Sequence, residues 1–194
     1  AQPPLKVAVV ARMLWSKGID TAVEGVSRAR AMGADIRLTL HGAPDPSNPR
    51  AVPLETLQEW SRRPGINWAG PTRDIEAVWQ GHHVCCLPSR GGEGLPRTLL
   101  EGAACGRALM TTDVPGCRSF VRDGVDGYVV PPDDPEALAR ALFALSRAPL
   151  MVEQMGRAAR ERVLKGYTER DVMEGVKTLY RSILPALRSE GILA

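Results

Sequence analysis

The stretch VCCLPSRGGEGLPRTLLEGAACGRALMT, residues 84–111, gives the clearest indication of the fold class. Its first four residues are wholly apolar, as expected of a strand buried on both faces of a sheet. A glycine-rich loop follows, then a helix predicted over Pro96–Cys105 and another strand predicted over Ala108–Thr111. Strands joined through a helix in this way form a right-handed parallel unit. The stretch therefore predicts a parallel sheet with helical crossovers.

The same alternation continues along the chain. Further strands are predicted over Lys6–Met13, Asp35–His41, Gly65–Ala69 and Gly127–Val130, and further helices over Gly18–Met32, Pro53–Arg62, Arg73–Gln80, Pro135–Ser146, Met151–Lys165 and Glu169–Leu187. Strands alternating with helices indicate the α/β class, and the proline-rich segment 43–53 is predicted to be a long surface loop. We expect one domain over residues 1–194: a Rossmann-like, doubly wound, mostly parallel sheet of about six strands with helices on both faces.

The last predicted helix, residues 169–187, differs from the others because it follows a complete sheet. It carries a partly apolar stripe made of Val172, Val176, Leu179, Ile183 and Leu187. A stripe of this kind needs a surface to cover it. We expect it to serve something outside this domain.

Composition excludes several classes of protein. Hydrophobic residues make up 44% of the 194 residues and charged residues 24%, which is typical of a globular protein. The net charge of +3 is spread along the chain, so a nucleic-acid partner is not expected. No apolar run approaches the 18 or so residues that span a bilayer. The four cysteines form no C-x-x-C pair, which favours buried free thiols in a reducing, cytoplasmic location over a metal site.

A helix opening follows the glycines of the quoted stretch. Pro96 suits the first helical position because its missing N–H would be unpaired anyway, so the helix is predicted to start just after Leu95. A helix N-terminus carries unpaired amides and about half a positive charge, an arrangement that favours a phosphate. The amides of Arg97 and Thr98 are the candidate donors, and glycines such as Gly94 leave room for a ligand.

Two carboxylates flank that opening. Glu93 lies in the loop, and Glu101 lies one helical turn beyond Arg97. Carboxylates accept hydrogen bonds from hydroxyl groups, so the pair could hold a sugar and a ribose on opposite sides of a phosphate. Alternatively, Arg97 and Glu101 form a surface ion pair worth only about 0.2–0.5 kcal/mol, and Glu93 is a solvated loop residue.

Two cations follow the first predicted strand. In a doubly wound sheet, ligands bind beyond the carboxyl ends of the strands. Arg12 and Lys17 lie five residues apart across such a loop, so both could reach one crevice and neutralise a diphosphate. The alternative is that both cations are merely solvated.

Taken together, these segments resemble the C-terminal, donor-binding half of retaining glycosyltransferases of the GT-B fold. The resemblance is to family 4, glycosyl transferases group 1, which includes sucrose, trehalose-type and lipopolysaccharide-sugar transferases. It covers residues 5–180 and rests on residues 10–18 (an R-x4-K-G loop), Leu40–Gly42, Asn67–Gly70, Leu87–Ser89, Glu93–Pro96 with Glu101 (an E-x7-E motif), Thr112–Gly116, Asp123–Gly127 and Pro132–Ala139.

The resemblance implies a role for each matching residue. Arg12 and Lys17 would bind the diphosphate of a nucleotide-sugar donor, Glu93 the transferred sugar and Glu101 the ribose hydroxyls. The resemblance implies that the donor site would be completed by Gly42, Gly94, Leu95, Arg97 and Thr98. It also implies that Arg73 would contribute through the loop of residues 67–73, which would face the base. The nucleotide sugar, linked through UDP, GDP or ADP, would be a substrate, so no cofactor is expected. The resemblance also implies no metal, because Arg12, Lys17 and the helix dipole would supply the charge that a divalent ion provides elsewhere.

Two departures from the family pattern are visible. His82 and His83 stand where the family commonly has Ala-Asp, and adjacent histidines favour core or surface roles over metal ligation. Gly102 replaces a common alanine after Glu101, which weakens the helix by up to about 1 kcal/mol.

The resemblance also implies an N-terminal acceptor domain as a partner, and no segment here matches that domain. We therefore expect the chain to act as one half of an enzyme, to be inactive alone and to bind the donor. Peripheral association of the full-length enzyme with the inner face of the membrane stays open. Two alternatives are a GT-B-fold nucleotide-sugar epimerase, which would share the sheet but not the paired glutamates, and a non-catalytic nucleotide-binding or scaffold module.

Overall fold

A six-stranded sheet forms the centre of the molecule. The computed structural model describes residues 3–189, with side chains described through residue 183. The strands are β1 (Leu5–Val10), β2 (Ile36–His41), β3 (Ile66–Gly70), β4 (Val84–Leu87), β5 (Ala108–Thr112) and β6 (Gly127–Val130). They lie in the order β3-β2-β1-β4-β5-β6, and every pair is parallel. This is the doubly wound α/β architecture that the sequence predicts.

Helices connect the strands and cover both faces of the sheet. They are α1 (Ile19–Ala31), α2 (Leu54–Ser61), α3 (Ile75–Gly81), α4 (Arg97–Ala104), α5 (Pro115–Arg118), α6 (Pro135–Arg147), α7 (Pro149–Leu164) and α8 (Glu169–Ser189). The sequence predicts all of them except α5, whose four residues are too few to show a helical period.

Successive residues of the central strands β1, β4 and β5 face two separate hydrophobic cores. Val7 and Val9 of β1 belong to the core beneath α1, α2 and α6, whereas Ala8 belongs to the core beneath α3 and α4. In β4, Cys85 and Cys86 divide in the same way. Burial on both faces explains why these strands are continuous apolar runs.

β1 is shorter than predicted, because it ends at Val10 and not at Met13. The backbone of Met13 pairs instead with the proline-rich segment. Its N–H donates to the carbonyl of Ala43 (3.0 Å), and its carbonyl accepts from the N–H of Val52 (2.9 Å). These bonds turn the chain away from the sheet at the point where β1 meets its loop.

α4 begins one residue later than predicted. Pro96 has φ −69° and ψ 118°, so it is the extended N-cap residue and Arg97 is the first helical residue. Proline fixes φ but leaves ψ free, and the cap therefore takes the extended value while its carbonyl still accepts from Leu99 (3.1 Å).

All four cysteines are free thiols, as predicted. Cys85, Cys86 and Cys117 are buried, and Cys105 is half-buried. Burial in apolar surroundings raises the pKa of the Cys86 thiol to about 12. These thiols are structural groups of the core.

α8 presents an apolar stripe to solvent. Among its described side chains, those of Val172, Met173, Val176, Leu179, Tyr180 and Ile183 are 41–61% exposed. Leu187, the last residue of the predicted stripe, has its side chain outside the described part of the chain. Within residues 3–189, no helix is both long and apolar enough to cross a membrane.

Gly102 lets α4 approach β4 closely. A Cβ atom at this position would lie 2.6 Å from Cβ and 2.8 Å from Sγ of Cys85. The low helix propensity of glycine is therefore offset by close packing of α4 on the strand.

We expect Gly102→Ala to lower the free energy of unfolding by about 1–3 kcal/mol, because the overlap with Cys85 exceeds the gain in helix propensity. Urea unfolding would measure the change. Gly175→Ala is the matched control, since a Cβ atom at this helical position meets nothing within 4 Å. A Gly102→Ala protein as stable as the wild type would contradict this account of the packing.

Candidate active site

The candidate site lies where the strand order reverses. β2 and β3 extend to one side of β1, and β4 to β6 extend to the other. The loops that leave the carboxyl ends of β1 and β4 therefore diverge and leave a crevice between them. The predicted residues Arg12, Lys17 and Glu93 all belong to these two loops.

Lys17 and Glu93 form an ion pair across the crevice. Lys17 ends the short 3-10 turn Trp15–Lys17, and its Nζ lies 2.6 Å from Oε1 of Glu93. The side chain of Glu93 is only 9% exposed and that of Lys17 is 23% exposed. The interpretation of Glu93 as a solvated loop residue is therefore wrong.

The loop that carries Glu93 is held by its neighbours. Ser89 is fully buried, and its hydroxyl donates to Oε1 of Glu93 (2.7 Å). The hydroxyl of Thr112 in turn donates to the carbonyl of Ser89. On the other side, a Cβ atom on Gly116 of α5 would lie 1.7 Å from the carbonyl oxygen of Gly94, so only glycine allows this contact.

Gly18 likewise allows close packing of the loop that carries Lys17. Its φ is +66°, and a Cβ atom there would lie 1.9 Å from the carbonyl oxygen of Pro88. Both the left-handed conformation and the close approach require glycine. The Lys-Gly step thus packs the first loop directly on the second.

The N-terminus of α4 offers unpaired amides. The N–H groups of Leu99 and Leu100 donate to the carbonyl of Pro96, whereas those of Arg97 and Thr98 meet no acceptor among the described residues. Oγ1 of Thr98 is buried, also without a partner. Leu95 is 46% exposed. These amides and the helix dipole make the opening suitable for an anion.

Glu101 forms an ion pair with Arg97. Nε of Arg97 lies 2.7 Å from Oε1 of Glu101, and the side chains are 90% and 26% exposed. The surface-pair interpretation therefore describes a contact that exists. A carboxylate has a second oxygen, so the role of Glu101 toward a ribose stays a prediction.

Arg12 is more open than Lys17. Its side chain is 64% exposed, and Nη1 lies 3.1 Å from Oδ2 of Asp45. Hydrogen bonds from Ser47, together with the bond from Arg12, hold the pKa of Asp45 below its usual value. Sequence reasoning did not find Asp45, because it lies in the segment interpreted as a surface loop.

Two cavities meet at Arg12. The first, named here the cationic cleft, has a volume of about 720 Å³ and is lined by residues that include Arg12, Lys17, Arg50 and Arg90. The second, named here the apolar cavity, has a volume of about 470 Å³ and is lined by residues that include Arg12, Val10, Pro71, Thr72 and Ile75.

The proline-rich segment 43–53 borders both cavities, because Arg50 lines the cationic cleft and residues 43–46 line the apolar cavity. The N–H of Trp15 donates to the carbonyl of Arg50 (3.0 Å), and Leu14 and Ala51 form an antiparallel bridge. Trp15 itself packs edge-on against Trp60, with ring centroids 5.9 Å apart. Backbone hydrogen bonds thus hold the segment against the loop of Lys17. Side-chain patterns in the sequence do not predict such bonds.

The structure separates the remaining predicted residues. Gly42 follows β2 with φ +145°, and a Cβ atom there would lie 1.8 Å from the carbonyl oxygen of Ala11. Gly42 lines the apolar cavity, and its carbonyl accepts from Nε1 of Trp68 (2.9 Å). Arg73 is exposed after β3 and lines neither cavity.

The histidines take structural positions. Burial lowers the pKa of His82, and its ring nitrogens lie 2.7 Å from the carbonyl of Val78 and 3.1 Å from Oγ1 of Thr39. Nδ1 of His83 accepts from the N–H of Lys6 (3.1 Å). Within residues 3–189, no group of three or more His, Cys, Asp or Glu side chains could hold a metal ion. Independence from a metal stays a prediction.

Solved structures share this architecture. The sucrose-phosphate synthase of Thermosynechococcus elongatus superimposes with a TM-score of 0.79 at 25% identity, covering 94% of this chain and 46% of that one. HepE of Anabaena, solved in complex with UDP-glucose, superimposes with a TM-score of 0.76 at 16% identity, covering 96% of this chain and 49% of that one. The fold is that of a GT-B glycosyltransferase domain.

Residues 4–147 match the family described as glycosyl transferases group 1, and the chain belongs to that family. Among its curated relatives, the alpha-maltose-1-phosphate synthase of Mycolicibacterium smegmatis is 31% identical over 188 residues, covering 91% of this chain and 48% of the relative. The chain spans about half, or less, of the length of the curated relatives it matches.

We expect Lys17→Met to lower the free energy of unfolding by about 1–3 kcal/mol, because the largely buried carboxylate of Glu93 would lose its charged partner. Arg118→Met is the control, since Arg118 pairs with Asp113 at 2.9 Å and both side chains are 55% exposed. An exposed pair of this kind is worth at most about 1 kcal/mol. Equal, small losses in urea unfolding would show that burial adds nothing to the Lys17 pair.

Proposed function

We propose that this chain is the donor-binding part of a retaining glycosyltransferase and that it binds a nucleotide-diphospho-sugar. The observation that carries the proposal is the Lys17–Glu93 pair at the point where the strand order reverses, beside the unpaired amides of Arg97 and Thr98. This combination offers positive charge for a diphosphate and a fixed carboxylate for a sugar hydroxyl.

The diphosphate lies, in this proposal, between Arg12, Lys17 and the N-terminus of α4. Each cation pairs with a carboxylate in the structure, Asp45 for Arg12 and Glu93 for Lys17. A diphosphate would replace these carboxylates as the partner of the cations. The cations and the helix dipole would then stabilise the negative charge that develops on the leaving group when the glycosidic bond breaks.

The sugar lies beside Glu93. Both recorded bonds to this side chain, from Lys17 and Ser89, use Oε1. Oε2 therefore has accepting capacity for a sugar hydroxyl. Because Ser89, Thr112 and Gly116 hold the loop, the carboxylate is positioned before the ligand arrives, which lowers the entropic cost of binding.

The nucleoside lies on the other side of the diphosphate. The apolar cavity is large enough for a base, and Pro71 and Thr72 after β3 contribute to its lining. Glu101, on the helix that opens toward the phosphates, would accept hydrogen bonds from the ribose hydroxyls. UDP, GDP and ADP are the nucleotides to be tested, and HepE, solved in complex with UDP-glucose, supports a nucleotide sugar as the ligand class.

The acceptor would be bound by another part of the enzyme. In the family that the sequence resembles, a separate N-terminal domain binds the acceptor, and we propose that the apolar stripe of α8 packs against such a domain. The exposure of Val176 and Tyr180, 41% and 61%, supports this assignment. Retention of configuration belongs to the same proposal and rests on the E-x7-E motif. Inactivity of the chain alone rests on the acceptor being bound by that separate domain.

Nucleoside diphosphates should stabilise the purified chain. At one hundred times its dissociation constant, a bound nucleotide adds about 2.7 kcal/mol to the free energy of unfolding. Thermal unfolding with UDP, GDP and ADP measures the effect, and the corresponding nucleosides test the contribution of the phosphates. EDTA should leave the stabilisation unchanged, and its loss in EDTA would reveal a required metal. A flat response to all three diphosphates would contradict the proposed function.

Glu101→Ala should weaken binding of the same nucleotide by about 1.5–3 kcal/mol, because hydrogen bonds to a charged group are lost. Arg97→Ala is the matched control, since it removes the same ion pair but keeps the carboxylate and the amide. Isothermal titration calorimetry compares the two. If both variants bind as the wild type does, Glu101 has only the ion-pair role.

A further inference from the structure

We propose that Arg90 is a positioning residue that fixes Lys17 opposite Glu93. The proposal rests on the proposed function, in which Lys17 binds the diphosphate. Arg90 follows β4, and the family resemblance implies no role for it. Its contacts reach both sides of Lys17 in the sequence and a third loop after β6.

Arg90 first holds the turn that precedes Lys17. Its backbone N–H donates to the carbonyl of Ser16 (2.9 Å), and Nη1 donates to the carbonyl of Trp15. One residue thus binds the two consecutive carbonyls immediately before Lys17. The direction in which Lys17 leaves the turn depends on the orientation of these two peptide units.

Arg90 also holds the helix that follows Lys17. Nη1 and Nη2 donate to Oδ1 and Oδ2 of Asp20 at 2.8 and 2.7 Å, a bidentate pair with the first turn of α1. Lys17 is therefore fixed from both ends of its loop by one guanidinium. A planar fork suits these divergent partners, whereas a lysine ammonium could not satisfy them together.

The third contact joins the loop after β6. Nε of Arg90 donates to Oδ1 of Asp133. Asp133 has φ +57°, and no other non-glycine residue within residues 3–189 has a positive φ. A left-handed aspartate costs about 1 kcal/mol or more, so a surrounding contact must maintain it.

The same contacts argue against a direct role for Arg90 in binding phosphate. Two carboxylates, those of Asp20 and Asp133, already neutralise the guanidinium, whose side chain is 27% exposed. The fork with Asp20 raises the pKa of Arg90 further above its ordinary value, so the charge is permanent and is used within the protein. Lys17 has a single carboxylate partner, Glu93, and can exchange it for a ligand.

The experiment is a pair of double-mutant cycles on the purified chain. Arg90→Lys and Lys17→Met, alone and combined, are titrated with the tightest binder among UDP, GDP and ADP. We expect each single variant to bind roughly tenfold more weakly, the loss of one charge-assisted contact. The double variant should bind no more than about twofold more weakly than Lys17→Met, because Arg90 acts through Lys17.

A second cycle separates positioning from general loss of structure. Arg90→Lys is combined with Glu101→Ala. Among the described residues Arg90 does not contact Glu101, so the two losses of nucleotide affinity should multiply. Arg118→Lys replaces Arg90→Lys as the matched control, because Arg118 has only an exposed pair with Asp113, and it should show no coupling to Lys17. If Arg90→Lys does not fold, Asp20→Asn takes its place in both cycles.

Losses that multiply in the Lys17 cycle, or unchanged affinity in both Arg90→Lys and Asp20→Asn, would overturn the proposal. The same variants are compared in urea unfolding, where Lys17→Met should shift the midpoint less in the Arg90→Lys background than in the wild type. That readout needs no nucleotide. A wild-type chain that binds no nucleoside diphosphate contradicts the proposed function, and the unfolding cycle alone then decides the role of Arg90.

Discussion

The adjacency of β1 and β4 is the constraint on which the site depends. Two strands and three helical connections separate these strands in the chain, yet they pair through Val7 with Val84 and Ala8 with Cys85. Their loops consequently leave the sheet side by side, and residues 17 and 93 come within the reach of one ion pair. Without that pairing, the cations of the first loop and the carboxylate of the second would have no common crevice.

The charges at the candidate site nearly cancel within the protein. Within the described part of the cationic cleft, Arg12, Lys17 and Arg90 each have a carboxylate partner, and only Arg50 has none. These internal pairs join the loops to one another. The affinity for an anionic ligand then depends on the difference between two sets of contacts, those of the cations with the protein carboxylates and those of the cations with the ligand. Selectivity therefore does not need a large excess of cations.

Sequence patterns predicted the order and type of nearly every element, because burial on both faces leaves continuous apolar strands such as β4. They also located Arg12, Lys17 and Glu93 in loops after strands. They missed Arg90 because its partners, Asp20 and Asp133, lie 70 and 43 residues away and a loop arginine carries no periodic signal. They missed the contribution of segment 43–53 to the two cavities because backbone bonds hold that segment. The predicted start of α4 was one residue early because a proline suits both the N-cap and the first helical position.

The location of Arg12 has a consequence for ligands of different length. Its guanidinium borders both the cationic cleft and the apolar cavity, and Asp45 tethers it from one side only. A compound that fills either compartment meets this side chain in the lining, whereas a compound that occupies both must extend past it. Ligands of different length therefore differ in how much of Arg12 they contact.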